Sequence, residues 1–542
     1  MDETTLERAS PAAQGQKQAL RKEERFVIFA SSLGTVFEWY DFYLYATLAP
    51  FFAALFFPPG NETAALMSAF ATYAAGFLVR PFGAIFFGRL GDLAGRKNTF
   101  LITIVVMGAS TFAVGLLPTF AAIGWLAPVL LVSLRLLQGL ALGGEYGGAA
   151  TYVAEHSPSG RRGFTTSFIQ TTATLGFFLA LAVIGICRIY MDEAAFVDWG
   201  WRLPFLVSLA LLVLSVVIRM RLNESPVFQT MQAEGRGSRR PLTESFLHYP
   251  NNKFVALALF GAVAGQGVVW YTGQFYALFF LQISLKLDFL MSYALVALSL
   301  LIGTPLFVFF GWLSDRIGRL KIILAGCALA ALTYFPLFSA LTEAVNPDLA
   351  AFGENHVVTV SADPAHCNLH IFVGPWSKYS DCDRAKDFVA RLGVSFHSGY
   401  APGQPVSLRI DDTVIEGWDM PAWRQALAAA GLPENADLTK VNWIKAELIL
   451  VIMLVYVTMV YGPIAAFLVE LFPARIRYTS MSLPYHIGNG VFGGMLPLLA
   501  TAIVAASGNI YYGLWYPVGV ALMTFIIGFF FLHETKDTDI TR

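Results

Sequence analysis

Long apolar stretches recur along the whole chain, and they constrain its fold more than any other feature of the sequence. Several of them exceed the roughly 18 to 20 residues that a helix needs to cross a bilayer. Only 13% of the residues are charged, about half of the share that soluble proteins use to cover their surface. We therefore predict an all-α polytopic membrane protein with twelve transmembrane helices, near residues 26–57, 64–88, 99–118, 122–154, 164–187, 200–220, 254–282, 289–312, 321–342, 446–469, 478–505 and 511–532.

The Lys and Arg residues between the predicted spans are unevenly distributed, and this asymmetry predicts the orientation of the chain. The short loops on one side hold only Arg188, Arg202 and Lys286, whereas most of the others lie in the N-terminal tail and in the loops of the opposite side. Because basic loops stay in the cytoplasm, we expect both termini to be cytoplasmic in a multi-pass protein of the inner (plasma) membrane. The near-neutral net charge of −1 and the lack of a basic domain argue against nucleic acid as a partner.

A short motif occurs twice, as GRLGDLAGRK at 88–97 and as GWLSDRIGRLK at 311–321, with five residues at the same offsets. The pattern E-x-x-P-x-x-x-R also occurs twice, at 155–162 and 470–477. The first pair is 223 residues apart (311 − 88) and the second is 315 apart (470 − 155), so the second half contains 92 extra residues between its two motifs. The chain is therefore predicted to be two six-helix halves in parallel repeat, with one inserted domain.

The predicted organisation follows from this repeat and from the polar stretches. It comprises a cytoplasmic tail at 1–25, a six-helix half at 26–220, a cytoplasmic linker at 221–252, spans 7 to 9 at 253–342, an insert at 343–444, spans 10 to 12 at 445–533 and a cytoplasmic tail at 534–542.

On these motifs the chain resembles the major facilitator superfamily, whose signature is the loop pattern G-x-L-x-D-x-x-G-R-K. Five further segments resemble the metabolite:proton symporters of that superfamily: EWYDFYLY at 38–45, RPFGAIFFGRLGD at 80–92, RLLQGLALGGEYGG at 135–148, GWRLPF at 200–205 and NESPVF at 223–228. That group carries citrate, dicarboxylates, 2-oxoglutarate, shikimate, proline or betaine. The resemblance covers 26–342 and 445–533 but not the insert. It implies a secondary active transporter that works by alternating access of two halves.

The repeated loop motifs carry charges that are suited to gating. A carboxylate such as Asp92 or Asp315, after a glycine-rich turn, can meet the N-terminus of a neighbouring helix or an arginine. The arginines of the motif can pair with carboxylates at other cytoplasmic helix ends, and we expect such pairs only when the two halves are close there. The alternative is that these charges anchor the loops at the lipid headgroups. The predicted gating set is Gly88, Asp92, Gly95, Arg96, Glu155, Arg162, Gly311, Asp315, Gly318, Arg319, Glu470 and Arg477.

Five ionisable residues lie deep in predicted spans of the first half, where each costs about 3 kcal/mol or more at a helix centre. They are Glu38, Asp41, Arg80, Arg135 and Glu145. Three carboxylates face two guanidinium groups, so at least one acid lacks a full partner, and desolvation favours the protonated form of such an acid. We expect Asp41 or Glu38 to carry a proton; the alternative is a fixed ion pair with Arg80 or Arg135. Arg80 lies about two turns from the end of its span, so snorkelling is an alternative for it.

The resemblance adds that Arg135 and Gln138 lie on the span 4 motif of proton-coupled carriers; the alternative for Arg135 is a structural partner for a carboxylate. In the second half, polar residues recur on spans 7 and 11: Gln266, Tyr271, Gln274, Tyr276, His486 and Asn489. Cations in one half and amides in the other suit a small anion, most simply a carboxylate, or a zwitterion between the halves. Helix packing is the alternative for His486.

The insert at 343–444 has the composition of a small α+β domain, which the odd number of preceding spans puts on the periplasmic side. Strands are predicted at 356–361, 368–373, 406–410 and 413–418, and helices at 382–392 and 421–430. A disulfide between Cys367 and Cys382 is expected in an oxidising periplasm. The alternative is a metal site formed by these two cysteines with His366 and His370.

No phosphate-binding loop or ATPase domain is recognisable in the sequence, so we expect a proton gradient as the energy source and no cofactor or resident metal. The sequence thus predicts a proton-coupled symporter for a small organic acid or zwitterion, acting as a monomer and not as an enzyme. The alternatives are a Na⁺-coupled carrier or exchanger, and a transporter-like receptor that uses the insert as a sensor.

Overall fold

The computed structural model describes residues 22–59, 62–94, 96–144, 146–155, 157–158, 160–220, 234, 240–368 and 378–540. At 22–31, 34, 88–94, 96–100, 148, 152 and 219 it describes the backbone alone. Within this part of the chain, nine helices are long and apolar enough to cross a membrane, and two shorter apolar helices accompany them. The count of twelve spans therefore stays a prediction.

In the described part of the first half, the regular secondary structure is helical. The helices are α1 (Lys22–Phe56), α2 (Glu62–Leu78), α3 (Arg80–Ala94), α4 (Arg96–Leu116), α5 (Phe120–Ile123), α6 (Leu126–Leu142), α7 (Tyr146–Glu155), α8 (Arg162–Tyr190), α9 (Glu193–Asp198) and α10 (Leu203–Met220).

The second half repeats this pattern and is interrupted by the insert. Its helices are α11 (Pro241–Phe246), α12 (Asn251–Ser284), α13 (Phe289–Ile317), α14 (Arg319–Val345), then, after the insert, α18 (Trp443–Tyr461), α19 (Ile464–Leu471), α20 (Arg477–Ser507) and α21 (Tyr512–Phe531). The insert contains α15 (Pro347–Asn355), β1 (Val358–Ala362), α16 (Asp381–Arg391), β2 (His397–Tyr400), β3 (Ser407–Ile410), β4 (Thr413–Glu416) and α17 (Met420–Ala429).

Several spans that the sequence predicts as single helices are divided at proline or glycine. Pro81 has no N–H to donate to the carbonyl four residues back, so α2 and α3 are separate helices. Gly462 and Pro463 separate α18 from α19, and Gly143 and Gly144 follow the end of α6. The predicted spans at 64–88 and 446–469 still correspond to the span-length apolar stretches Glu62–Phe87 and Trp443–Leu471, so the correction to them is a local irregularity; within 122–154 the described residues form two helices, α6 and α7.

The two halves pack on each other along long helices, with α8 against α13 and α2 against α20. Gly163 of α8 and Gly311 of α13 face each other, and a Cβ atom on either glycine would overlap the backbone carbonyl of the other. Small residues at such a crossing let two helix backbones approach closely. The contact joins the second copy of the repeated loop motif to the first half.

The insert is an α+β unit with its own apolar core around Phe388, Leu408 and Trp423. Its four-stranded sheet has the order β2-β1-β3-β4, with β1 parallel to β2 and the other pairs antiparallel. Strand β2 and helix α15 were not expected from the sequence, and residues 369–373 of the predicted strand 368–373 lie outside the described residues.

The structure places Cys367 and Cys382 in a disulfide, with their Cα atoms 5.3 Å apart. The bond engages both thiols, so they are not available as metal ligands. His366 is described, whereas His370, the remaining member of the alternative metal site, lies outside the described residues.

The insert is attached to both halves of the bundle, but unequally. Backbone hydrogen bonds fix it to the second half: Phe396 N–H donates to the Gly508 carbonyl at 2.7 Å, and Ala436 N–H donates to the Lys286 carbonyl at 3.1 Å. Its described contacts with the first half are made by side chains of α16. Asp387 accepts from the Thr63 N–H at 3.0 Å, and Arg391 pairs with Glu62. The insert is therefore fixed to the second half by backbone hydrogen bonds and meets the first half at a polar contact.

Although Leu349 and Ala436 of the insert join the apolar core of the bundle, the main core of the insert around Phe388, Leu408 and Trp423 is a separate cluster, so removing the insert should leave the bundle folded. We expect a protein that lacks residues 346–440, bridged by a short polar linker, to insert in the membrane and to purify as a monodisperse species. The measurement is membrane fractionation followed by size-exclusion chromatography beside the full-length protein. Degradation or failure to insert would mean that the insert is a structural part of the bundle.

Candidate functional site

The described contacts between the two ends of the bundle differ, and this difference defines the state of the protein. We call the end that carries Glu155, Arg162, Glu470 and Arg477 the tail end, and the opposite end, below the insert, the insert end. At the tail end both carboxylate oxygens of Asp315 accept backbone N–H bonds at the start of α8, from Gly163 at 2.9 Å and Phe164 at 2.8 Å. A carboxylate at a helix N-terminus also meets the positive end of the helix dipole.

Ion pairs extend this contact across the two halves. Arg162 Nη1 of the first half lies 3.7 Å from Glu470 of the second, and Arg477 Nη1 lies 3.4 Å from Glu155. The expected pairing of Arg319 with Glu470 is present at 3.0 Å, but both residues belong to the second half. This pair can therefore form whether or not the two halves are close, contrary to the expectation for such pairs. It holds Glu470 near Arg162 of the first half.

The local geometry of the second motif also differs from the expectation. Gly311 lies inside α13, where it makes the close crossing with α8, and the turn follows Asp315 instead of preceding it, at Gly318 with φ +114°. Sequence reasoning missed Glu534, which accepts hydrogen bonds from Arg319 N–H at 2.7 Å and from Leu320 N–H at 3.1 Å. An acidic residue shortly after the last apolar run was the available signal.

The first copy of the motif cannot be compared with the second. Gly95 and Glu145 lie outside the described residues, and the side chains at 88–94 and 96–100, which include Gly88, Asp92 and Arg96, are not described.

Replacing Asp315 by Asn should weaken the closed tail end, because the amide retains one acceptor but loses the charge that the helix N-terminus favours. A charge-assisted hydrogen bond contributes about 1.5 kcal/mol or more, so the ratio of closed to open molecules should fall by about tenfold. We expect normal expression and slower transport, measured as initial uptake into proteoliposomes. Asp412→Asn, at an exposed turn of the insert, is the matched control, and wild-type uptake by Asp315→Asn would contradict the assignment.

Arg135 lies at the centre of the first half with no exposed surface. Its Nη1 donates to Gln138, whose own amide donates to Thr111 at 2.8 Å. The guanidinium carbon is 4.6 Å from the ring centres of both Phe42 and Tyr45. Among the described residues, Nε and Nη2 of Arg135 have no hydrogen-bond partner. The arginine is thus held by aromatic rings, and its remaining donors are not matched by a carboxylate.

Arg80 has a similar environment at the boundary between the two halves. Its side chain is 1% exposed, with the guanidinium carbon 3.9 Å from the ring centre of Phe77 and 4.3 Å from that of Phe42. Its Nε and Nη2 also lack a partner within the described part of the chain. The alternative that Arg80 snorkels to the headgroups is therefore wrong.

The two acids of α1, Glu38 and Asp41, are buried, each about 5% exposed. One carboxylate oxygen of Asp41 has no hydrogen-bond partner in the described regions. Glu38 lines a small cavity of about 20 Å³ together with Arg80 and, from the second half, His486. A cavity of this volume accommodates about one water molecule. The structure thus brings Glu38, Arg80 and His486 together at the boundary of the halves.

The three amide side chains predicted for the site in the second half have different environments. Gln266 and Asn489 form a reciprocal amide pair between α12 and α20, with distances of 2.9 and 3.0 Å. Each of these two amides therefore has the other as a hydrogen-bond partner in this state. Gln274 is fully buried, and neither its amide nitrogen nor its amide oxygen has a partner among the described residues.

The helices that carry these residues contain π-helical turns, at Thr272–Tyr276 in α12 and at Ile487–Gly493 in α20. Such turns occur frequently at functional sites, because the extra residue disturbs the backbone ladder. Tyr271, just before the first of them, packs against Phe77 of the other half with ring centres 5.6 Å apart. Tyr276, which ends that turn, packs on Phe338 within the second half.

Aromatic rings from both halves separate the small central cavity from the insert end. Tyr43 lies 5.5 Å from Trp270 and 5.1 Å from Phe275, and Phe70 lies 4.8 Å from Phe279, measured between ring centres. Beyond these rings, a cavity of about 1440 Å³ occupies the insert end between α1, α2, α12 and the insert. We call this cavity the vestibule. The protein is therefore closed at the tail end, wide at the insert end and occluded at its centre.

Sequence reasoning did not include Trp39, Tyr146 and Tyr485, which line the small cavity with Glu38 and Arg80. Tyr146 and Tyr485 belong to different halves and stack with ring centres 3.4 Å apart. The cluster of aromatic residues around Glu38 in EWYDFYLY was the available signal, because aromatic rings in such density are typical of a cation-binding or ligand-binding surface.

Comparisons with known proteins agree with this architecture. Residues 31–350 match the family model of the Major Facilitator Superfamily, and residues 426–541 match the model of Sugar (and other) transporters. The chain is 35% identical over 328 residues to the alpha-ketoglutarate permease of Escherichia coli (strain K12). The aligned region covers 60% of this chain and 74% of the permease. It is also 35% identical over 325 residues to the shikimate transporter of the same strain. That alignment covers 58% of this chain and 72% of the transporter.

Among solved structures, the proton:xylose symporter XylE, bound to 6-bromo-6-deoxy-D-glucose, has a similar fold. The TM-score is 0.63 at 16% sequence identity, and the alignment covers 96% of this chain and 98% of that chain. This similarity extends to the fold alone. Together with the matched family model and the two relatives, it leads to one conclusion: the chain belongs to the Major Facilitator Superfamily of membrane transporters.

Proposed function

We propose that the protein is a proton-coupled symporter that imports a small organic acid or a zwitterionic metabolite across the inner membrane by alternating access. Both termini lie in the cytoplasm, so the insert end faces the periplasm. The observation that carries the proposal is the pair of buried arginines, Arg80 and Arg135. In each of them, two guanidinium nitrogens have no hydrogen-bond partner among the described residues.

The chemistry of these arginines favours an anionic ligand. A charged side chain at the centre of a membrane span costs about 3 kcal/mol or more, and a cation–π contact returns only about 0.5 to 2 kcal/mol. A carboxylate supplies both a countercharge and two acceptors in the plane of a guanidinium group. The names of the relatives, an alpha-ketoglutarate permease and a shikimate transporter, point to the same chemical class.

The acids of α1 provide the proton. Glu38 and Asp41 are i,i+3 on one face of α1, and Glu38 shares its cavity with Arg80. When an anion enters beside the arginines, a proton on one of these acids keeps the charge of the site low while the halves change orientation. Release of the anion and the proton to the cytoplasm then requires the tail-end contacts to break, namely those of Asp315 with the start of α8 and of Arg477 with Glu155.

Arg135→Lys tests the anion site, because lysine keeps the charge but loses the planar, two-pronged donor geometry. We expect initial uptake of the substrate to fall by about tenfold or more, the effect of losing one charge-assisted hydrogen bond. The substrate is first identified by thermal-shift screening of the purified protein against mono-, di- and tricarboxylates, quinate-type acids, proline and betaine. Arg384→Lys, on an exposed face of the insert, is the matched control, and unchanged uptake by Arg135→Lys would contradict the site.

Asp41→Asn tests the coupling, because the amide mimics the protonated acid and cannot release a proton. We expect this variant to lose accumulation that is driven by an imposed pH gradient in proteoliposomes, and to retain exchange of pre-loaded substrate. Exchange in the same vesicles is therefore the internal control for folding. Accumulation by the wild-type protein that follows a Na⁺ gradient instead would contradict the proposed proton coupling. So would variants Asp41→Asn and Glu38→Gln that both still concentrate the substrate.

A further inference from the structure

The vestibule is enclosed jointly by the bundle and the insert, and it holds charged residues from both. Helix α16 and the segment after α17 contribute to its wall beside the ends of α2 and α12. The charged residues of its lining in the described part of the chain are Glu62, Lys286, Asp288, Arg391, Arg424 and Glu434.

Five of these six charges are engaged by neighbouring groups. Arg391 pairs with Glu62 and lies 3.4 Å from Asp387, which is also on α16. Arg424 lies 3.7 Å from Glu434. Asp288 accepts backbone N–H bonds at the start of α13.

Lys286 is different from the other cations of the lining. Its ammonium has no carboxylate within ion-pair distance among the residues described here, although Arg391 and Glu62 are near enough to affect its pKa. Burial, and secondarily the charge of Arg391, lower the pKa of Lys286 to about 8, while the charge of Glu62 acts in the opposite direction. An ammonium group in such an environment gains from an incoming anion.

The backbone of Lys286 is held in an uncommon conformation by contacts from two sides. Its φ of +56° is rare for a residue other than glycine. The carbonyl of Lys286 accepts the Ala436 N–H of the insert, and the preceding carbonyl, of Leu285, accepts the side-chain amide of Asn346 at 3.0 Å. Strained residues that the surrounding structure fixes in this way occur preferentially at ligand sites.

We propose that Lys286, beside Arg391, forms an outer binding site for the carboxylate of a small organic anion in the vestibule. The site exists only where the insert and the bundle meet, because Arg391 and the fixing contact of Ala436 come from the insert. It receives the anion before the central aromatic rings part and is separate from the arginines at the centre. The identity of the ligand as the transported anion rests on the proposed function.

The direct test is competitive amine labelling of the purified full-length protein, with mass spectrometry as the readout. At pH 7.5 Lys286 should react at least ~10-fold faster than an ordinary lysine, because its lower pKa leaves more free amine. 2-Oxoglutarate or shikimate, with ionic strength matched by NaCl, should slow the labelling of Lys286 severalfold, and xylose should not. Lys440, whose pKa is raised by its partner Asp348, is the matched control and should be unaffected.

Transport provides a second measurement. Lys286→Met should raise the KM for uptake about tenfold, the effect of one lost charge-assisted hydrogen bond, without lowering the maximal rate. Lys286→Arg should restore the KM, whereas a purely structural role for the loop would not distinguish these two variants.

The outcomes separate this inference from the proposed function. If neither anion slows the labelling of Lys286, or if xylose slows it equally, the outer site is wrong even where a pH gradient drives uptake. Protection by an anion in a protein that does not couple to protons would support the outer site and overturn the coupling alone.

Discussion

The burial of two guanidinium groups inside an apolar bundle is the constraint on which the rest of the site depends. Arg80 and Arg135 are almost without exposed surface; aromatic rings flank both guanidinium groups, and Arg135 also donates to Gln138. Such an arrangement retains the positive charge and leaves planar donors available, at a cost that the helix contacts of the bundle have to offset. Glu38 shares a cavity with Arg80, and in the proposed mechanism this acid or Asp41 adjusts the charge of the site by one proton.

Around this centre, the two ends of the bundle are built differently. The tail end is joined by directional contacts: a carboxylate on a helix N-terminus and ion pairs between the halves, which form or break as units. The insert end has a wide vestibule, and the insert above it is hydrogen-bonded to the second half through its backbone. Its polar contacts with Glu62 and Thr63 of the first half lie at the boundary between the two halves. Under the proposed alternating access, these contacts would report whether the insert end is open or closed.

Much of this architecture could be predicted from the sequence, because long apolar runs and a repeated motif at corresponding loops depend on few physical assumptions. The α+β character of the insert could also be predicted from its strand patterns. The disulfide between Cys367 and Cys382 could be predicted from the expected location of the insert in the oxidising periplasm. The helix breaks could not, since a proline inside an apolar run leaves hydropathy unchanged while it removes a donor. Helix α15 carries a readable signal, an Asn346 cap followed by proline, which the adjacent span obscured.

The site was predicted less completely, because spacing along one helix does not tell which residues meet between helices. Gln266 and Asn489 were expected near the substrate, and they instead satisfy each other across α12 and α20. For Arg80, the distance from the end of its span left snorkelling open as an alternative, and the burial of its side chain among aromatic rings excludes it. The pairing of Arg319 with Glu470 was expected correctly, but its location within one half could not be inferred from the two motifs.

The most direct test of the central claim is a structure of the protein with its transported substrate, determined by cryo-electron microscopy in lipid nanodiscs. The account predicts carboxylate oxygens about 2.8 Å from the free guanidinium nitrogens of Arg135 or Arg80, with the aromatic rings of both halves around the ligand. A substrate bound elsewhere between the halves, with both arginines still covered by Phe42, Phe77 and Tyr45, would contradict it.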